Sequence, residues 1–331
     1  MREPIGVLVM DYGSPTGPEA IGAYYTHIRH GRPPSEAQLA DLERRYEAIG
    51  GVSPLREITR AQANGIQQGL DGWAPGRYRV YHGSKHAPPF IEDAVGRMRA
   101  EDVERAIGLV LAPHYARLSV GSYIERARDA AGGAIDFTFV ESWHLADGYV
   151  SFLADEVTEA LARMPDDLQP GTHVLFTAHS LPAWIVEEGD PYARQLRETA
   201  EAVADRIDVP RWSTAWQSAG ATPEAWLGPD VAEVMRELAE EDSVDAVIVC
   251  PCGFVADHLE VLYDLDVEAR RVANDLGIAF DRTAMPNSDP RFTETLAKVV
   301  VAADPSRGRR SRAHQRSGSE RRDRHRGREK S

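Results

Sequence analysis

Three carboxylates recur at a fixed interval in the segment that starts near Asp257: Glu260, Asp264 and Glu268, spaced i, i+4, i+8. On an α-helix, at ~100° per residue, they fall within about 80° of one another and extend over ~12 Å of axis. Val261, Leu262, Leu265 and Ala269 supply the adjoining apolar stripe, so the acids form a single file beside the packed face, with Asp257 on roughly the same line. Like charges at i, i+4 repel by ~0.2–0.5 kcal/mol per pair. A cation moving along the file would relieve that repulsion, and hard oxygen donors suit a weakly held divalent metal such as Mg2+. A solvated acidic face is the plainer alternative.

A second group is Thr177-Ala178-His179-Ser180-Leu181-Pro182. An imidazole at a strand end can take up a proton near neutral pH or ligate a transition metal. Taken alone, such a histidine is more often a hydrogen-bonded structural residue. Ser180 beside it does not make a hydrolase, because neighbours on an extended chain point opposite ways and no G-x-S-x-G elbow is present. The third group is the basic stretch 25–34, with Arg29 and Arg32, which Arg44, Arg45 and Tyr46 could join. Arginine binds carboxylates bidentately through its planar fork, so an anionic ligand fits here. Cys250 and Cys252 are too few for an iron-sulfur cluster or a tetrahedral zinc site. The early glycines make no phosphate loop.

Positioning these groups requires a scaffold, and the apolar runs indicate which. Short runs rich in Val, Ile and Leu occupy 5–10, 78–82, 106–111 and 135–140, then 173–177, 212–216, 246–250 and 278–282. Amphipathic segments of helical period lie between them, at 35–49, 89–99, 151–163, 192–207 and 257–274. Such alternation implies an α/β fold of two Rossmann-like halves, each a four-stranded parallel sheet flanked by helices. The halves are expected at 1–145 and 146–303, with a ligand cleft between them. Parallel sheets collect ligands beyond the carboxyl ends of their strands. Tyr12, Lys85, the 113–123 loop, Glu141, His179, Gln217 and the 251–260 segment occupy those ends.

The 331 residues include 52 acids and 38 Lys or Arg, a formal charge of −14. That figure hides an asymmetry: residues 304–331 carry +7, leaving −21 on residues 1–303. So acidic a body does not bind duplex nucleic acid through a general basic surface. Within it, the acid file and the Arg29–Arg45 region suggest that the signs are segregated. The tail has almost no apolar residue and is expected to be disordered. No run approaches the ~18–20 apolar residues of a membrane helix, and the first residues lack a signal peptide's pattern. With two cysteines and no disulfide framework, a reducing cytoplasmic setting is expected, without membrane insertion.

Several segments together resemble the ferrochelatases: 9–15, 25–29, 45–55, 177–182, 216–218 and 253–264. The similarity runs from about residue 4 to 303, omits the tail, and is greatest to the soluble bacterial coproporphyrin III branch. It implies insertion of Fe2+ into coproporphyrin III to form Fe-coproporphyrin III (coprohaem) in haem biosynthesis, both being substrates. It also implies that His179 and Glu260 face the metal and the pyrrole nitrogens, His179 as proton acceptor and Glu260 as metal-site carboxylate. Tyr12 would approach iron from the opposite face of the ring, and Arg29, Arg45, Tyr46, Ser53 and Tyr123 would surround the porphyrin and its propionates. Asp264 and Glu268 would line a metal path. No permanently bound cofactor is expected. Four cysteines hold the [2Fe-2S] cluster of some members, so none is expected here. A monomer, making transient contacts with haem-pathway enzymes, completes the picture.

The chemistry is consistent with those residue types. Metallation removes two pyrrole protons, which calls for a base near neutral pKa at the ring centre. The aqueous ion must shed water, which stepwise replacement by carboxylate oxygens eases. A rigid cleft can bend the macrocycle with binding energy drawn from the propionates. The competing readings are a protoporphyrin IX ferrochelatase, a cobalt chelatase for another tetrapyrrole, and a non-catalytic haem or porphyrin carrier with Tyr12 as axial ligand. Metal-dependent hydrolysis would leave the basic stretch unexplained.

Overall fold

A computed structural model describes residues 4–209, 211–240 and 244–306. Expected disorder of the tail beyond Ser306 therefore falls outside the described residues. Eight strands occur among them: β1 (Ile5–Asp11), β2 (Tyr78–Ser84), β3 (Arg105–Val110), β4 (Asp136–Val140), β5 (Thr172–His179), β6 (Trp212–Gln217), β7 (Ala246–Cys250) and β8 (Ala279–Arg282). The first four form one parallel sheet in the order β2-β1-β3-β4, and the last four form another in the order β6-β5-β7-β8. The expected two-sheet architecture is what the chain adopts.

Helices α1 (Ile21–Ile28), α2 (Glu36–Ala48), α3 (Leu55–Trp73), α4 (Ile91–Ala100), α5 (Ser122–Ala131) and α6 (Asp147–Arg163) accompany the first sheet and lead to the second. There follow α7 (Trp184–Glu187), α8 (Tyr192–Ile207), α9 (Val231–Ala239), α10 (Leu259–Val261), α11 (Arg270–Leu276) and α12 (Pro290–Ala303). Strand β1 is buried along its whole length, as a central parallel strand covered on both faces must be. Its odd residues Val7 and Val9 join a core with α3, α6, α8, α12 and the inner face of the second sheet. Its even residues Leu8 and Met10 pack against α4 and α5. A third core under α9 and α11 covers the outer face of the second sheet.

The strand orders determine where ligands go. From β1 the chain moves to one side for β2 and then crosses to the other for β3, and β5 is likewise flanked by β6 and β7. Both central strands are therefore topological switch points, where the connecting segments diverge and leave a crevice. Tyr12 follows the end of β1, and His179 is the last residue of β5.

The halves interlock more than a division at 145/146 suggests. Helix α12, in sequence part of the second half, packs on α3 of the first. A Cβ placed on Gly65 would stand 2.8 Å from Thr293, and one on Gly69 would stand 2.8 Å from Ala297 Cβ. Asp304, counted with the tail in the sequence, is buried. It accepts hydrogen bonds from Arg77 at 2.6 Å and from the Tyr78 hydroxyl at 2.9 Å. Nearer the start of α3, fully buried Gln62 donates its amide hydrogens to Val255 O at 2.9 Å, just ahead of α10, and to Asn287 O at 2.8 Å, just ahead of α12. Replacing Gln62 by Leu leaves two carbonyls without a donor, at ~1–3 kcal/mol each when buried. Urea denaturation of Gln62→Leu should show a loss of at least about 2 kcal/mol; a loss below about 0.5 kcal/mol would mean these bonds do not couple the halves.

Candidate functional site

Glu260 sits where the two ends of the crevice meet. The chain ahead of it is extended at His258, and the helix begins only at Leu259. After one turn of α10 it widens into a π-helix over Leu262–Ala269 and returns to α-helical geometry in α11. A continuous α-helix over 257–274 is therefore not what forms. Asp264 nevertheless keeps both other acids of the file within electrostatic reach, Glu260 more strongly than Glu268. Asp257 does not join them. It precedes the helix and is bound by Arg282 at 3.0 Å and by the Asn287 amide at 2.7 Å.

Two imidazoles flank the Glu260 carboxylate. His179 Nε2 lies 3.6 Å from Oε1, and His258 Nε2 lies 3.6 Å from Oε2. Each ring is oriented from behind. The Nδ1 of His179 contacts Ser180 O, and that of His258 lies 2.9 Å from Ala256 O. Carbonyls only accept, so both Nδ1 atoms carry hydrogen, and each Nε2, facing the carboxylate, is the nitrogen at which the ring can exchange a proton. Such a geometry calls for a proton or a cation between the groups. Gln217 helps hold the carboxylate's backbone, taking a bond from Thr177 Oγ1 at 2.9 Å and donating to Glu260 O at 3.3 Å. The Tyr192 hydroxyl holds His179 O at 2.9 Å. Ser180 Oγ donates to Leu227 O, away from His179, which removes the hydrolase pairing.

The electrostatics follow from this packing. Burial opposes charge on His179, but the Glu260 carboxylate, and more weakly Asp264, raises the imidazole above an ordinary histidine. Burial alone would raise the Glu260 carboxyl; His179 and then His258 outweigh it and hold the group below the usual carboxylate range. Burial, followed by the charge of Glu260, pushes Asp264 up to about 7, against the Ser218 hydroxyl and Arg45. Arg45 Nη1 is 4.0 Å from Asp264 and also binds Asp41 at 2.9 Å. Its guanidinium lies over the Tyr263 ring. The signs are thus not segregated as the sequence suggests; they meet at Arg45 and Asp264.

Around this centre stand Tyr12, Tyr24, Tyr46, Tyr123 and Tyr192. Their phenols are all raised, first by burial, with the Glu260 charge contributing to each. Tyr46 and Tyr123 are buried, whereas the Tyr12 ring remains 42% accessible while enclosed by neighbours, as a residue lining a concave cleft must be. Tyr12 rests on His86, with ring centroids 4.6 Å apart. Lys85 Nζ lies 5.1 Å from the Tyr123 ring centroid, and burial followed by Arg126 lowers its ammonium to about 8. Ser53 is buried, its hydroxyl accepting from Leu55 N at 3.3 Å. Arg29 ends α1, stacks over Tyr25 and donates to Arg32 O. Of the residues named from the sequence, His179, Glu260, Asp264 and Arg45 are linked by contact or charge, and Tyr12, Tyr46 and Tyr123 lie close enough to feel the Glu260 charge; Glu268 acts on Asp264, while the contacts of Arg29 and Ser53 are local. Sequence reasoning gave no role to His258, Ser218, Tyr24 or Tyr192. Of these only His258 and Ser218 had a signal, lying inside segments already singled out.

Among the described residues no three His, Cys, Asp or Glu side chains converge on a closed metal cage. Cys250 and Cys252 are buried, and burial raises both thiols, Cys250 to about 12. No helix among the described residues is long and apolar enough to cross a membrane.

Comparison with known proteins bears on this geometry. The Ferrochelatase family profile matches residues 4–304. A coproporphyrin III ferrochelatase of Anoxybacillus flavithermus is 46% identical over 303 residues, spanning 91% of this chain and 96% of that protein. The enzyme of the same name from Bacillus subtilis is 46% identical, spanning 91% of this chain and 98% of its own length. Among solved structures, SirB from Bacillus subtilis with Fe3+ superposes with a TM-score of 0.58 at 13% identity, over 92% of this chain and 98% of that one. CbiX, described as the terminal enzyme of sirohaem biosynthesis in denitrifying bacteria, gives 0.53 at 15% identity, over 90% and 99%. At such identities these two share the fold.

The coupling at Glu260 has a signed consequence. Replacing Glu260 by Gln removes the carboxylate that raises His179 and the charge that raises Asp264, so both midpoints should fall. Imidazole and carboxyl NMR titrations of the parent and Glu260→Gln should record both downward shifts; an unchanged or higher His179 midpoint would contradict the coupling.

Proposed function

The chain belongs to the ferrochelatase family, and from that premise we propose that it inserts Fe2+ into coproporphyrin III, with His179 as proton acceptor and Glu260 as metal-site carboxylate. The observation that carries the residue roles is the Nε2 of His179 held 3.6 Å from Glu260, among tyrosines that the Glu260 charge reaches. Iron remains ferrous throughout. Two N–H bonds of the macrocycle break, four iron–nitrogen bonds form, two of them to the nitrogens left anionic, the water ligands of the ion are released, and two protons leave.

His179 Nε2 receives those protons one at a time. Its Nδ1–H, directed at Ser180 O, fixes the tautomer that leaves Nε2 basic. Glu260 stabilises the imidazolium and supplies an oxygen to the arriving cation, so charge moves between groups already in place. Asp264 lies within electrostatic reach of both Glu260 and Glu268. With Asp264 titrating at about 7, cation arrival displaces a weakly held proton there. On the other side of the cleft Tyr12 provides a flat, accessible surface for the ring. Arg29, Arg45, Tyr46, Ser53 and Tyr123 supply donors for propionates, Arg45 dividing its guanidinium between a propionate and the acid file.

Anaerobic incubation of the protein with Fe2+ and coproporphyrin III should give the spectrum of the metallated product. With coproporphyrin III and protoporphyrin IX at equal concentration, the tetra-carboxylate should be consumed first. Preferential loss of protoporphyrin IX would reassign the substrate, and tight porphyrin binding without metallation would make the protein a carrier. Loss of a positioned base costs ~10²–10⁴-fold, so His179→Ala should insert iron at least about a hundredfold more slowly. Insertion at the parent's rate would remove His179 from the role.

A further inference from the structure

On the opposite face of β1 from the porphyrin cleft is a second cavity, of about 380 Å³, that this reaction does not use. Asp11 and Ser84, paired at the ends of β1 and β2, extend the rows of Val9 and His82 that face α3. Above them the first turns of α3 present Arg56, Arg60, Asn64 and Gln67, and Arg97 enters from α4. Arg56 and Arg60 stand one turn apart, where like charges repel. Neither side chain has an ion pair or hydrogen bond with another described residue, in a body that carries −21. Three polar atoms lining the cavity are buried without a partner: Ser14 Oγ, Asp11 Oδ2 and Arg56 Nε. Ser14 and Asp11 are only 2% and 4% exposed. Buried polar atoms are normally hydrogen-bonded, so three orphans from residues on two sides of one cavity, the end of β1 and the start of α3, point to a missing occupant.

We propose that this cavity is a binding site for a small oxyanion that also carries a hydroxyl hydrogen, a hydroxycarboxylate or a hydrogen phosphate. Arg56 and Arg60 receive the anionic oxygens, with Arg97 adding positive charge. Ser14 Oγ donates to the same group. Asp11 decides the rest of the specificity. Its Oδ1 faces His82 Nε2 at 3.2 Å, and its Oδ2 accepts the ligand's hydroxyl hydrogen. An anion without such a hydrogen would meet the Asp11 carboxylate unshielded and bind less well. The volume lies within the ~300–1,000 Å³ of small-molecule sites. Because the site lies behind the loop that carries Tyr12, its occupant and the porphyrin bind together.

Equilibrium dialysis of the full chain against radiolabelled citrate and radiolabelled inorganic phosphate, at ionic strength fixed with chloride, tests the assignment. At least one of the two should bind saturably, and the relative affinities identify the source of the oxyanion. Tricarballylate, which is citrate without its hydroxyl, should compete about tenfold more weakly than citrate if citrate is bound. Arg60→Gln and Arg56→Gln should each weaken binding by about tenfold or more, with melting temperature and iron insertion retained; Ser14→Ala should weaken it without loss of fold. Saturating coproporphyrin III should not displace the anion. Absence of saturable binding by both anions, binding unaltered in both arginine variants, or displacement by the porphyrin would each overturn the proposal.

Discussion

One carboxylate held between two imidazoles is the constraint around which this molecule is arranged. Glu260 faces Nε2 of His179 on one side and of His258 on the other, each at 3.6 Å. Both rings are fixed from behind by backbone carbonyls. Burial opposes charge on each of these groups, and their pairing opposes burial: the carboxylate raises His179 while the two imidazoles hold Glu260 ionised. Its electrostatic coupling is what the proposed reaction uses: a place that favours a cation and a base that favours a proton, 3.6 Å apart.

The fold supplies that arrangement through its topology. Two central strands, β1 and β5, each end at a switch point, which leaves Tyr12 and His179 at the ends of buried, rigid backbones. Glu260 arrives on a short helical turn between an extended residue and a π-helix. Its backbone is restrained from β6 by Gln217, and the neighbouring segments are held from α3 by Gln62. Both glutamines bridge elements far apart in the chain. The π-turn continues the acid line away from the site, where Arg45 moderates its charge.

Much of this was legible from residue order. Short apolar-rich runs revealed all eight strands; the central β1, β3, β5 and β7 read most clearly because they are covered on both faces, whereas the edge strands β2, β4, β6 and β8 carry polar residues, and strand ends then pointed to Tyr12, His179 and Gln217. The acid file was legible as a spacing. Less legible was anything decided by partners distant in sequence. Asp257 falls roughly on the line of the acid file by its spacing, but Arg282 and Asn287 bind it ahead of the helix. The π-turn has no signature in composition, since it depends on what packs around it. Arg45 reads as part of a basic region, yet its guanidinium lies by Asp264 and Tyr263. Helix α12 follows the second sheet in sequence and packs on the first half, because the small residues Gly65 and Gly69 open a groove there. The net charge of −14 likewise says little until its signs are located.

The central claim, that a histidine raised by its paired carboxylate must be deprotonated to accept pyrrole protons, is tested most directly by the pH dependence of anaerobic Fe2+ insertion into coproporphyrin III. His179 lies above the ordinary histidine value of ~6.5 and Asp264 at about 7, and both must lose a proton to act. The rate constant kcat/KM should therefore fall as pH is lowered through neutrality, with its acid limb centred above ~6.5. A rate that stays level from about pH 8 to 5.5, or rises on acidification, would contradict the account.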